Sequence, residues 1–189
     1  MDLFFEANQN FLLRSYSEIK RNISERSMCS NLKEETSILL RNSKYPMYYV
    51  DVEYNRSGEM VKTILNLDKI INITCDFLIH SRGTQEIENI LALEMKKSTA
   101  SQKDKDEDRD RLKALTSSME VTYKMGGELP LSNVCGYLIG IYYEINSNLN
   151  LITLEYYESG RMVYHETNTF EYFMSYTNST ERLNRYYMD

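Results

Sequence analysis

The chain has 189 residues, of which 42% are hydrophobic and 26% charged, and its formal net charge is −6. That length supports one domain with a real core, and the composition excludes a disordered chain. No stretch approaches the roughly 20 apolar residues that cross a bilayer, and the acidic balance excludes a uniformly basic, phosphate-binding surface.

Residues 3–20 place Phe5, Leu12, Tyr16 and Ile19 at helical spacing. A second helix is expected from Asn22 or Ser24, either of which can cap it, to near Arg41, with Met28, Leu32 and Leu39 on the buried face. Glu25 lies three residues before Met28 and seven before Leu32, so it projects to that same side. After Pro46, Met47 to Tyr54 alternates as a strand, with Tyr49, Asp51 and Glu53 on one face. Gly58 marks a turn, and Val61 to Leu67 reads as a further short strand.

Two apolar runs follow, Ile73 to His80 and Ile90 to Lys97, each carrying one acid inside it. Period two groups Asp76, Leu78 and His80 in the first run, and Ala92, Glu94 and Lys96 in the second. Lys97 falls on the opposite face. Asp104 to Glu120 reads as a highly charged helix with Leu112, Leu115 and Met119 as its thin apolar face, and the rest of its charge as solvated surface. Asp108 and Arg111, three apart, can pair on it. From Lys96 to Lys113 there are seven Lys/Arg against five acids, a weakly positive stretch in an acidic chain. Gly126-Gly127 and Pro130 end that unit. Val134 to Glu144 is the most apolar strand, Leu149–Tyr157 and Met162–Glu166 form a hairpin turning at Ser159-Gly160, and the tail from Asn168 is expected to be helical.

One domain over 1–189 is expected: an N-terminal helix over 1–22, a core over 23–143, and a C-terminal hairpin with helical tail over 144–189. The N-terminus lacks the pattern of a signal peptide. Cys29, Cys75 and Cys135 are scattered and read as small buried hydrophobes in a reducing compartment, so a cytoplasmic protein with no membrane partner is expected.

The chemistry concentrates in Asp76 and, eighteen residues on, Glu94-Met95-Lys96. A carboxylate on one strand and Glu-x-Lys on the next can hold a divalent cation beside a lysine, the minimum equipment for phosphodiester hydrolysis. Mg²⁺ suits such oxygen ligands, with Mn²⁺ expected to substitute. Lys96 would orient the attacking hydroxide and offset developing charge.

These residues resemble a family. Asp76…Glu94-x-Lys96 after a helix looks like the PD-(D/E)XK nuclease superfamily. Val50-Asp51-Val52-Glu53-Tyr54-Asn55-Arg56, Cys75 to Gly83, Asn89 to Lys97 and Asp108 to Thr116 resemble successive motifs of a small stand-alone bacterial and phage group, as does Ser24-Glu25-Arg26 at the early helix. The resemblance covers roughly residues 23 to 143; Cys75 stands where that group usually has proline. It implies an α/β fold with a restriction-endonuclease-like αβββαβ core, a central mixed sheet flanked by helices, here followed by extra strands and a helix. It further implies a Mg²⁺-dependent nuclease whose partner is nucleic acid, foremost DNA. The backbone carbonyl of Met95 becomes a further ligand, and Glu25 or Glu53 a completing acid. His80, Arg82 and Arg111 would contact substrate, Arg111 from a helix that supports the site.

Plainer roles stand beside each of these. Asp76 and Glu94 can be solvent-facing strand acids, and Lys96 a surface lysine. Glu25 can be a first-turn acid and Glu53 half of a salt bridge. His80 can be an ordinary hydrogen-bonded histidine and Arg82 a solvated loop arginine. The sixteen tyrosines offer stacking surfaces or core-edge packing. The rival functions are an inactive nucleic-acid-binding or regulatory module of the same fold and a small-molecule phosphodiesterase. A homodimer would suit cutting of both strands.

Overall fold

The computed structural model describes residues 1–53, 75–117 and 135–175 in full and, between 54 and 74, the backbone of short strand segments. The expected turn at Gly58, the Gly126-Gly127 and Pro130 break, Met119 and the tail past 175 lie outside the described residues.

Two helices open the chain, α1 (Asp2–Lys20) and α2 (Glu25–Arg41). Ser24 resolves the choice of cap: its hydroxyl accepts from the Ser27 N–H, while Asn22 takes a left-handed φ of 61° at the corner between the helices. Strand β1 (Tyr49–Tyr54) is followed by short segments β2 (Arg56–Ser57), β3 (Met60–Val61), β4 (Thr63–Asn66) and β5 (Lys69–Asn72). These pair as two small antiparallel ribbons, β2 with β3 and β4 with β5. Then come β6 (Cys75–His80), β7 (Asn89–Lys97), helix α3 (Gln102–Thr116), β8 (Ile139–Asn146), β9 (Leu151–Glu158), β10 (Arg161–Thr169) and a short α4 (Phe170–Met174).

The main sheet has six strands in the order β1-β6-β7-β8-β9-β10. Only β7 and β8 run parallel, joined across α3 as a parallel connection requires; all other neighbours are antiparallel. The sheet is therefore mixed, with helices on both faces. On one face α1, α2 and α4 cover Phe77, Ile79, Leu91, Leu93, Met95, Ile141, Tyr143 and Leu154. On the other, α3 lays Leu112 and Leu115 over Leu78, Ala92, Tyr142 and Tyr157. Gly140 allows the close seat of α3, since a Cβ there would meet Thr116 Cγ2 at 3.0 Å and Tyr157 Cβ at 3.2 Å.

Some boundaries differ from the sequence reading. Helix α3 starts at Gln102 because Ser101 accepts from the Asp104 N–H, and it ends at Thr116, where Ser117 turns extended. Strand β8 begins at Ile139 rather than Val134; Gly136 with φ 79° and an exposed Leu138 precede it. Strand β10 runs through Asn168 to Thr169, whose hydroxyl then caps α4, so the expected helix starts two residues late. The hairpin turn falls at Ser159-Gly160 as expected, with both residues at positive φ, the two-residue turn that matches strand twist. The three cysteines are buried. No helix among the described residues is long and apolar enough to cross a membrane.

Candidate functional site

Strand alternation turns Asp76, Glu94 and Lys96 toward the α3 side of the sheet, where the N-terminal half of α3 is charged rather than apolar. Asp76 is half-buried and accepts a hydrogen bond from the Met95 N–H at Oδ2, 2.9 Å away. In an extended strand a residue's N–H and carbonyl project to the same side, so the Met95 carbonyl faces that same gap. Glu94 is 1% exposed, and its Oε1 accepts from Arg111 Nε at 2.6 Å. Neither acid is the solvent-facing strand residue of the plain alternative. A buried carboxylate is costly unless paired, and here α3 brings the pairing cation.

Asp76 and Glu94 share one sheet face, near enough for the Asp76 charge to act on Glu94. Burial, the largest cause, pushes both above the ordinary carboxylate range. The charges of Asp76 and Asp108 add repulsion on Glu94, which Arg111 offsets only in part, and Asp108 adds repulsion on Asp76, against which the Met95 N–H and Lys96 act. Two neighbouring acids both held above their ordinary range are a place where a proton or a cation offsets the shared charge.

Lys96 is not a bare surface lysine. Its Nζ stands 2.9 Å from Asp108 Oδ2 and 3.9 Å from Glu25 Oε2, and only 17% of its side chain is exposed. Burial pulls its ammonium pKa down, but the bond and charge of Asp108, helped by Glu25, outweigh burial and raise it. Glu25, in the first turn of α2, reaches round the end of β7 to accept the Lys97 N–H at 2.8 Å. Lys97 itself turns away and donates to the Asn22 carbonyl at 3.1 Å. Arg111 also bonds Asp108 on its own helix. The structure thus gathers Glu25, Asp76, Glu94, Lys96, Asp108 and Arg111.

Glu53 stands at the rim. Its φ of 49° is left-handed, between the paired positions Val52↔Phe77 and Tyr54↔Cys75, and it forms a fork with Arg26, the neighbour of Glu25. Cys29 beneath the cluster registers all four expected acids: burial first, then Asp76, Glu94, Glu25 and Glu53, pushes its thiol strongly up.

His80 and Arg82 belong to a separate group. Four residues along β6, roughly 13 Å from Asp76, the 3%-exposed His80 sits with Nε2 at 2.9 Å from Asp51 Oδ2. Arg82 donates to both Asp51 oxygens, at 2.6 Å to Oδ1 and 2.8 Å to Oδ2, and its guanidinium stacks 4.4 Å over the Tyr49 ring. Burial pushes the Asp51 carboxyl up, yet His80 and Arg82 together bring it down to about 2.

Sequence patterning puts Asp51 on this face but does not reveal it as the anchor for His80 and Arg82. The charged face of α3, expected to be solvated, is partly paired: Lys105 pairs with Glu144 at 3.1 Å, and Arg109 pairs with Glu155 at 2.7 Å while lying 4.3 Å over Tyr142. The signal was available: the Leu112 and Leu115 stripe stepped back by four and seven lands on Asp108.

Among the described residues no group of three or more His, Cys, Asp or Glu side chains is placed to hold a metal ion. The Asp76–Glu94 pair nonetheless fits Mg²⁺, which commonly takes one or two carboxylates and keeps several waters. No protein-family model, curated protein or solved structure matches the chain.

Proposed function

We propose that the chain is a metal-dependent phosphodiesterase, foremost a Mg²⁺-dependent nuclease acting on DNA, with a restriction-endonuclease-like core. The observation that carries this reading is that half-buried Asp76, bonded to the Met95 N–H at 2.9 Å, and Glu94, 1% exposed, share one sheet face with the Lys96 ammonium. The order α2-β1-β6-β7-α3-β8, with an antiparallel meander closed by a parallel strand, supports the core assignment.

In this reading Asp76 and Glu94 hold the ion, joined by the Met95 carbonyl, with Glu25 at the edge. When bound, the ion polarises a phosphoryl oxygen and lowers the pKa of a bound water. The other roles fall to the chain itself. Lys96 donates to the attacking water and balances charge that gathers on the phosphoryl oxygens. Arg111 neutralises Glu94 from behind and keeps it pointed into the gap. Arg82, half-exposed beside Tyr49 and braced by Asp51, meets a flanking phosphate in this reading. Nucleic acid is the partner in this proposal, in the cytoplasm, and a second copy supplies the second cut where both strands are broken.

The test is cleavage of plasmid, single-stranded DNA, RNA and cyclic nucleotides in Mg²⁺ and in chelator. Asp76→Ala and Lys96→Ala are each expected to fold and to lose at least about 100-fold in rate. Cleavage that persists in both purified variants refutes the assignment. The second reading, an inactive nucleic-acid-binding or regulatory module, draws on the 2.6 Å closure of Arg111 on Glu94, which already supplies a cation to that acid. Binding of nucleic acid with no cleavage and no Mn²⁺ uptake would favour it.

A further inference from the structure

Helix α3 carries five acids, Asp104, Asp106, Glu107, Asp108 and Asp110, and four of them are exposed. Asp108 alone is buried, at 2% exposure. A carboxylate on a charged surface helix has easy access to water, so its burial needs compensation by cations. Two are present, one for each oxygen: Lys96 Nζ stands 2.9 Å from Oδ2, and Arg111 donates to Oδ1. Arg111 then uses its Nε on Glu94 at 2.6 Å. Lys96, Asp108, Arg111 and Glu94 therefore form a chain of charges that starts and ends on β7. Its two ends are residues two apart on the same strand face, which closes the chain into a ring.

Such a ring fixes the ammonium of Lys96 relative to the carboxyl of Glu94 more tightly than the strand alone would. A lysine side chain has four rotatable bonds and loses about 2 kcal/mol of rotamer entropy when held. Without Asp108, Lys96 has Glu25 at 3.9 Å as its next anion, on the far side toward α2. Asp76 is a further charged group acting on it.

We infer that Asp108 is the positioning residue of this site: it holds Lys96 on the α3 side, in line with the Asp76–Glu94 gap, and through Arg111 sets the orientation of Glu94. For its kinetic consequences the inference rests on the nuclease reading. It also makes a claim about Lys96 that does not depend on catalysis.

The test uses Asp108→Asn, Asp108→Glu, Lys96→Ala and the Lys96→Ala/Asp108→Asn double variant of the full chain. With DNA and Mg²⁺, kcat is expected to fall about tenfold or more in Asp108→Asn with KM within about twofold, and Asp108→Glu to retain an intermediate rate. The double variant is expected to match Lys96→Ala alone within about twofold, because a residue that acts through Lys96 has nothing left to act through. Nitrogen-15 NMR of the lysine ammonium groups supplies the second arm without metal or substrate. The Lys96 signal, identified by its loss in Lys96→Ala, is expected to be present in the wild type, where the ion pair slows proton exchange, and to vanish in Asp108→Asn. If Asp108→Asn does not unfold cooperatively, Asp108→Glu is read by the same kcat and NMR criteria. Wild-type kcat in Asp108→Asn and Asp108→Glu, fully additive losses in the double variant, or an unchanged Lys96 signal overturns the inference. A wild type that never cleaves overturns the nuclease reading instead, and the NMR arm then still decides whether Asp108 places Lys96.

Discussion

The two ends of β6 handle buried acid in opposite ways. At the His80 end, one carboxylate, Asp51, is shared by His80 and Arg82, and its pKa falls to about 2 despite burial. At the Asp76 end, Asp76, Glu94 and Asp108 crowd against Lys96 and Arg111, and Asp76 and Glu94 are pushed up. One cluster has its charge satisfied within the protein; the other is short of positive charge. With the acids ionised, the second cluster has room for a cation, and the first has no need of one.

The contrast is broken most severely at Arg111. Arg111→Ala is expected to cost about 3–5 kcal/mol, since it leaves Glu94 and Asp108 buried without that partner. Thermal unfolding would show a drop on the order of 10 °C for a chain of this size. Millimolar Mg²⁺ should recover more of that loss than it adds to the wild type. Equal Mg²⁺ shifts in both proteins would mean that the ion and Arg111 do not share Glu94.

Asp51→Asn should cost less, about 1–3 kcal/mol, because it weakens bonds to His80 and to a half-exposed Arg82. It should leave Mg²⁺ stabilisation unchanged. Its pH dependence has a definite sign: a carboxyl whose folded pKa is depressed contributes stability above its ordinary value near 3.9 and loses it as pH falls toward 2. The gap between wild-type and variant melting temperatures should therefore narrow below pH 4. A gap that widens there would contradict the Asp51 assignment.

The smallest effect has the opposite direction. In chelator at pH 8, Asp76→Asn keeps an acceptor for the Met95 N–H and removes a disfavoured charge, so it should stabilise by about 1 kcal/mol. For an acid whose folded pKa is raised, the unfolded chain binds fewer protons, and stability falls as pH rises past the ordinary carboxylate range. The advantage of Asp76→Asn should thus grow as pH rises above about 4. A destabilised variant at pH 8 would show that Asp76 serves the fold rather than a cation.

Much of this arrangement was legible in the residues. Alternation placed Asp76 with His80, and Glu94 with Lys96, because strand period is a local property. The direction of Glu25 followed from its spacing to Met28 and Leu32, both buried in the structure. Partnerships across elements were not legible. Asp51 meets His80 only through the antiparallel register of β1 on β6, which pairs Tyr49 with His80. Asp108 meets Lys96 only because the crossover through α3 lays its charged half over β7. The charge on α3 hid its inward face, since composition alone does not separate a solvated helix side from a buried ionic one.

Calorimetric titration with Mn²⁺ in the absence of nucleic acid decides whether Asp76 and Glu94 hold a divalent cation. Wild-type protein is expected to bind Mn²⁺, and Asp76→Asn to bind it at least about tenfold more weakly, a difference of about 1.4 kcal/mol. No uptake by the wild type, or equal affinity in both proteins, would contradict the claim.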